Sequence, residues 1–250
     1  MTDRVKDKAT IVTGAGSIGP GWGNGKAAAV VYAREGALVA AVDRTLSAAE
    51  ETRDIITGEG GQCIAVEADV TVEDQVQHVV DRCLSEFGRV DILHNNVGIP
   101  VVGGTQEISA DDWDQQFSVN VKSMYLTCRT CLPQMVEQGS GAIVNISSIA
   151  SIRAIGYPCI SYAATKGAVN QLTQQIAMEY AAAGIRANCI LPGLMHTPQI
   201  EHYVTSGYGG DKEEMIRKRH DLVPMKRMGT AWDVAYAALF LASDEAQYVT

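Results

Sequence analysis

The sequence predicts an α/β protein: one doubly wound parallel sheet with helices on both faces. Three observations predict it. Short runs rich in Val, Ile and Ala are nearly continuous in apolar residues, as strands buried on both faces of a parallel sheet must be. These runs alternate with longer stretches of helical spacing, and no composition break, repeat or low-complexity tract divides them. A glycine-rich loop follows the first run, and an acidic residue closes the second. That arrangement sets a phosphate-bearing ligand against a helix N-terminus. At 250 residues the chain can bury a large core without a disulfide or metal staple, and one domain over residues 1–250 is expected.

The first strand is "ATIVTGA", residues 9–15. A literal G-x-G-x-x-G follows at Gly14, Gly16 and Gly19, but Pro20, Gly21, Trp22, Gly23, Asn24 and Gly25 come next, and these are poor helix formers. Good formers resume at Lys26. The helix is therefore expected to begin at Gly25, with residues 15–24 as an enlarged loop. Asp43 closes the second strand, "ALVAAVD", 18 residues after Gly25 and 24 after Gly19; an acidic residue there normally lies ~20 residues past the loop. Glycines let the backbone approach a pyrophosphate, and the helix start supplies free N–H groups and positive dipole.

The remaining strands are "QCIAVEAD", "VDILHNN", "GAIVNISS" and "IRANCILPG". Helices are expected over 25–35, 47–58, 72–87, 109–137 and 157–183. After Pro192-Gly193 no strand signal occurs up to Gly229. The flexible "TSGYGG" and the charged "DKEEMIRKRHD" in that interval predict a lid-like insertion over about 194–228, with one or two helices.

The formal net charge of −9 argues against nucleic-acid binding, which needs a basic face, and against docking on anionic lipid. No apolar stretch reaches the ~20 residues of a membrane span. The N-terminus lacks the apolar core of a signal peptide, so a cytoplasmic location is expected. Six cysteines are scattered in mostly apolar contexts. Cys128 and Cys131 form a C-x-x-C without a second ligand pair and read as structural thiols, with no metal site expected.

Tyr162 and Lys166 lie four apart on a helical stretch, hence on one face. An ammonium beside a phenol favours phenolate and would lower a pKa near ~10, making Tyr162 a candidate acid–base. Ser147-Ser148, Asn95-Asn96 with Gly98, and Pro192-Gly193 end or follow strands, where ligands bind in doubly wound sheets. Asn120 falls mid-helix, an unhelpful place for a short amide.

Taken in order, these motifs resemble the short-chain dehydrogenase/reductase family. The match includes the Thr13-Gly14 start, Asp43, "ADV" at 68–70, "NNVG", "VNV", "NISS", Y-x-x-x-K, "PG…T" and "RMG…DVA". It runs from Thr13 to about Ala242 and implies a Rossmann-type fold. It also implies roles. Tyr162 would be the acid–base, Lys166 would lower its pKa and bind the nicotinamide ribose, Ser148 would orient the substrate oxygen, and Asn120 would hold a relay water. Asp43 would take the adenosine ribose hydroxyls and favour NAD over NADP, with Arg44 pulling the other way. Asp69 and Val70 match adenine contacts. Asn96, Gly98, Pro192, Met195 and Thr197 match the nicotinamide path. Gly14, Ser17, Ile18, Gly23, Asn24 and Gly25 would border the pyrophosphate.

The sequence departs from the family in three places. The glycine loop carries an insertion, and "WGNGKA" resembles the loop of the divergent enoyl-reductase branch, although that branch spaces its tyrosine and lysine more widely. Ser148 precedes Tyr162 by 14 residues, one more than usual. The family's seventh strand is not found before Thr250.

The resemblance implies an NAD-dependent oxidoreductase acting on a small secondary alcohol or ketone, and a homotetramer built on the helices at 109–137 and 157–183. The alternatives are an NADP-dependent ketoreductase or dihydrodiol dehydrogenase of the same fold, and a non-catalytic nucleotide-sensing protein. Val101, Val102, Ala150, Ile155, Tyr157 and His196 are candidate pocket residues. His196 reads either as a substrate partner or as a solvated loop residue.

Overall fold

The computed structural model describes residues 3–250. Six parallel strands form one sheet: β1 (Ala9–Thr13), β2 (Leu38–Asp43), β3 (Gln62–Glu67), β4 (Ile92–Asn95), β5 (Gly141–Ile146) and β6 (Ile185–Ile190). Their order is β3-β2-β1-β4-β5-β6. The strand order reverses between β1 and β4, and ligands bind at the carboxyl ends beside such a switch point. All six strand expectations hold.

Alternation along the strands divides the core in two. Val12, Val39, Ala41 and Val144 pack against α1 (Asn24–Arg34) and α9 (Ala231–Ala242). Ile11, Ala40, Leu93 and Ile143 pack against α3 (Glu73–Phe87), α5 (Ser123–Gln138) and α6 (Ile160–Tyr180). Helix α2 (Leu46–Gly58) joins the first group through Ile56. Alanines at 27, 28 and 29 let α1 lie close to the sheet, where they are fully buried. The α3 helix carries Glu73 and Asp74 in its first turn and stops at Gly88, whose φ is 74°; both favour their termini.

The stretch 109–137 is not one helix. It divides into α4 (Ala110–Phe117), a π-helical turn over Ser118–Lys122, and α5. The next helix begins at Ile160 rather than 157, because Gly103 pairs with Cys159 in an isolated bridge. The insertion holds α7 (Pro198–Tyr203) and α8 (Lys212–Leu222). Its neck is closed by a bridge between Met195 and Gly229. Val249 and Thr250 lie along β6: Asn188 donates to the Val249 carbonyl at 2.8 Å, and the Ala187 N–H to Thr250 Oγ1 at 3.1 Å.

A polar chain crosses the sheet behind its carboxyl edge. Thr127 donates to Asn95 Oδ1 at 2.7 Å, Asn95 Nδ2 to Asn145 Oδ1 at 2.9 Å, and Asn145 Nδ2 to Thr173 at 2.9 Å. All four residues are buried. Nearby, the buried Tyr32 hydroxyl meets His94 Nδ1 at 3.1 Å.

Candidate active site

The loop after β1 begins at Gly14, whose φ of 64° suits glycine. Its carbonyl accepts from Asn96 Nδ2 at 3.1 Å. A Cβ on Gly25 would fall on that carbonyl oxygen and 2.6 Å from Asn96 Nδ2, so only glycine fits. Helix α1 starts at Asn24 with Gly23 as N-cap, one residue before the expected start and far from Gly19. No side chain caps it, and its first turn holds no acid. Asn24 Oδ1 is buried without a partner. This helix start suits a pyrophosphate.

Gly16 is a second close approach that sequence reasoning did not assign. Its N–H donates to Asp43 Oδ2 at 3.0 Å, and a Cβ there would lie 2.5 Å from Ala48 Cβ. Asp43 Oδ1 accepts from the Thr45 N–H at 3.0 Å. Trp22 anchors the enlarged loop on α9, its ring centroid 4.5 Å from that of Trp232. The Ser17 hydroxyl is spent on the Gly19 carbonyl at 2.7 Å, and Ile18 is exposed. Neither side chain reaches the cleft.

Asp69 borders a shallow concavity with Arg44, Glu67, Asp74, Gln75 and His78. Its Oδ1 accepts from the Thr71 N–H at 2.9 Å. The Val70 side chain points into the core.

The main cavity gathers Asn24, Asn96, Gly98, Ser148, Tyr162, Lys166, Pro192, Met195 and Thr197. Tyr162 sits in the first turn of α6 and Lys166 one turn on. Lys166 Nζ lies 5.8 Å from the Tyr162 ring centroid and donates to the Ile146 carbonyl at 2.7 Å. Ser147 donates to the Lys166 carbonyl at 3.0 Å, tying α6 to the end of β5. Ser148 accepts from the Ala150 N–H at 3.1 Å.

Burial pushes the Lys166 ammonium down to about 8. The expected depression of Tyr162 is corrected here: burial pushes its phenol up to about 12, against a hydrogen bond with Ser148 and the charge of Arg219. The low-dielectric seat outweighs those favourable charges.

Asn120 stands behind the cavity in the π-helical turn. Its Oδ1 accepts from the Ile99 N–H at 2.8 Å, and its Nδ2 donates to the Ile99 carbonyl and to Thr165 Oγ1, both at 3.0 Å. π-turns often mark functional sites. Gly98 leaves the gap between Asn120 and Lys166: a Cβ there would lie 3.0 Å from Lys166 Nζ.

Of the candidate pocket residues, Ile155 and Tyr157 line the cavity; Val101, Val102, Ala150 and His196 do not. His196 faces Glu201 at 3.1 Å on the lid surface. The cavity instead receives Arg219 from α8, a residue that its charged sequence neighbourhood gave no reason to single out.

A parallel sheet with this strand order, a glycine loop at its switch point and a Ser-Tyr-Lys cluster at its edge define a nicotinamide-dependent oxidoreductase fold. A family model described as enoyl-(acyl carrier protein) reductase matches residues 19–250. The chain belongs to the short-chain dehydrogenase/reductase family. It is similar to 2-(R)-hydroxypropyl-CoM dehydrogenase of Xanthobacter autotrophicus, at 37% identity over 97% of this chain and 94% of that protein. The structure of levodione reductase matches with a TM-score of 0.93 at 34% identity, over 99% of this chain and 95% of that one. A structure from Beutenbergia cavernae, provisionally described as an NAD(P)-dependent gluconate 5-dehydrogenase with low-occupancy NADP, matches with a TM-score of 0.87 at 34% identity, over 100% and 94% of the two chains. No helix among the described residues is long and apolar enough to cross a membrane.

Proposed function

We propose that the chain is an NAD-dependent dehydrogenase/reductase of secondary alcohols and ketones. The observation that carries this is the convergence of Ser148, Tyr162 and Lys166 in one cavity beside the uncapped start of α1. The bound nicotinamide supplies or accepts the hydride. Tyr162 gives a proton to the substrate oxygen during reduction and removes it during oxidation. Ser148 orients that oxygen and stabilises its developing charge. Lys166 would hold the ribose. Asn120 positions the water that links Lys166 to solvent.

The residues present fit the cofactor. The backbone of Gly14, Ser17, Ile18, Gly23, Asn24 and Gly25 would border the pyrophosphate; Asn96, Gly98, Pro192, Met195 and Thr197 would border the nicotinamide. Asp43 takes the adenosine ribose, with Asp69 and Val70 beside the adenine. Glu67, Asp69 and Asp74 share the adjoining concavity with Arg44, and this acidic surround disfavours a 2′-phosphate. Arg44 supports the second reading, NADP dependence.

Six free cysteines suit a reducing compartment such as the cytoplasm. Exposed Trp113, Tyr125 and Val136 on α4 and α5, with Met178 on α6, support self-association as a homotetramer. The test of function is turnover of a panel of secondary alcohols and ketones with NAD and with NADP, followed by reduced-nicotinamide absorbance. Tight NAD binding without turnover of any member would favour a nucleotide sensor instead.

A further inference from the structure

Arg219 is 2% exposed, and its Nε and Nη1 are buried without a hydrogen-bond partner. A guanidinium is effectively always charged and presents its donors as a rigid fork. Burying such a charge unpaired is strongly unfavourable, so buried charges normally meet a counter-ion. None is found among the described residues. The acids of the lid pair with other cations: Glu201 with Lys212 at 2.5 Å and His196 at 3.1 Å, Glu214 with Arg217 at 2.7 Å, and Asp221 with Arg217 at 3.6 Å.

Arg219 lines the cavity that holds Ser148 and Tyr162. Its charge acts on the phenols of both Tyr157 and Tyr162, which sets it on the substrate side. A second buried group without a partner lies close by. Tyr208 Oη is unpaired, and the Tyr208 ring centroid is 6.0 Å from that of Tyr157.

We infer that the substrate is an anionic alcohol or ketone, a hydroxy acid or its keto form, whose carboxylate or other oxyanion is held by Arg219 while its hydroxyl or carbonyl faces Ser148 and Tyr162. This deepens the oxidoreductase reading and rests on it. Charge-assisted hydrogen bonds to the guanidinium fix one end of the substrate. The fixed end then sets which carbon faces the nicotinamide. A neutral substrate of the same shape leaves the charge unmatched and is discriminated against.

The test compares short hydroxy carboxylates and hydroxyalkyl sulfonates with their neutral esters and amides, using NAD and the wild-type enzyme. The charged members should be preferred in kcat/KM by about a hundredfold, and the carboxylate and sulfonate arms identify the oxyanion. Arg219→Met should lower that preference ratio by a similar factor, and Arg219→Lys should restore part of it. A wild type that prefers neutral members, or an Arg219→Met variant with an unchanged ratio, overturns the inference.

If no substrate of either kind is turned over, the oxidoreductase reading fails, and the anion seat is judged separately. Calorimetric titration of wild type with butanoate and propane-1-sulfonate should then show saturable binding that Arg219→Met loses. Absence of binding, or equal binding by the variant, overturns the seat. So does an equal loss of NAD affinity in Arg219→Met, which would assign the guanidinium to the cofactor.

Discussion

The indole of Trp22, inside the enlarged glycine loop, packs on that of Trp232 at the start of α9, with centroids 4.5 Å apart and planes at 49°. The loop that would carry the pyrophosphate is thereby fastened to the start of α9. Lys26 adds a cation 5.2 Å from the Trp22 ring centroid and pairs with Glu51 at 2.6 Å. Removing Trp22 should free the loop. Trp22→Ala is expected to weaken NAD binding by about tenfold, a ~1.4 kcal/mol effect. A double-mutant cycle with Trp232→Ala should return a coupling of ~0.5–1.5 kcal/mol in urea unfolding.

Gly25 and Gly58 make a contrast. A Cβ at Gly25 falls on the Gly14 carbonyl oxygen, whereas a Cβ at Gly58, the last residue of α2, meets nothing within 4 Å. Gly25→Ala should abolish measurable NAD binding and lower the melting temperature. Gly58→Ala should bind NAD normally and gain ~0.5–1 kcal/mol of stability. Calorimetric titration and thermal unfolding of both variants check this.

Asp43 fixes two backbone N–H groups, those of Gly16 and Thr45, so its removal should not be purely electrostatic. Asp43→Asn keeps an acceptor while deleting the charge. The ratio of kcat/KM for NADP over NAD should rise tenfold to a hundredfold, about 1–3 kcal/mol of relieved like-charge repulsion. A ratio that does not move would refute the NAD assignment.

Tyr162→Phe retains the ring's packing and removes the phenol proposed to give and take the proton of the substrate oxygen. Steady-state kcat should fall by ~10²–10⁴-fold while NAD affinity stays within a few-fold. Retention of most activity would show that another group moves the proton.

His94 is buried against Tyr32, and burial holds it down at about 3, from an ordinary 6.5. The folded protein keeps it neutral where the unfolded chain takes up a proton. Its contribution is therefore complete above about pH 6.5 and is lost as the pH falls toward 3, at ~1.4 kcal/mol per unit. Between pH 7 and pH 5.5, wild type should lose ~1 kcal/mol more than His94→Gln in urea unfolding.

Much of this was legible in the sequence because local chemistry decided it. The six short apolar runs fit strands buried on both faces of a parallel sheet. The Gly-Pro-Gly-Trp-Gly stretch could not be helix, which moved the helix start to the residues around Gly25. Other features were set by distant parts of the chain. Asn120 looked misplaced in a helix because the π-helical turn that turns it toward Ile99 and Thr165 has no local signature. Arg219 is one cation in "DKEEMIRKRHD", and such a run normally reads as a solvated face. Only the seat of α8 over the cavity turns that single residue inward. Val101, Val102 and Ala150 were apolar and near in sequence, but apolar character does not say which wall a side chain joins.

The chain from Thr127 through Asn95 and Asn145 to Thr173 has a consequence for how such sequences can drift. Its members recognise one another by which atom gives a hydrogen and which receives it, not by size. Exchanging Asn95 alone for leucine would strand Asn145 Oδ1 in a dry interior, at a cost of ~1–3 kcal/mol, while the Thr127 hydroxyl would fall back on the Ser123 and Met124 carbonyls at 3.1 and 3.0 Å. Neutral change at these positions must therefore be concerted, with two or more partners altered together. The middle of the sheet is thus a lock whose pins move only in sets.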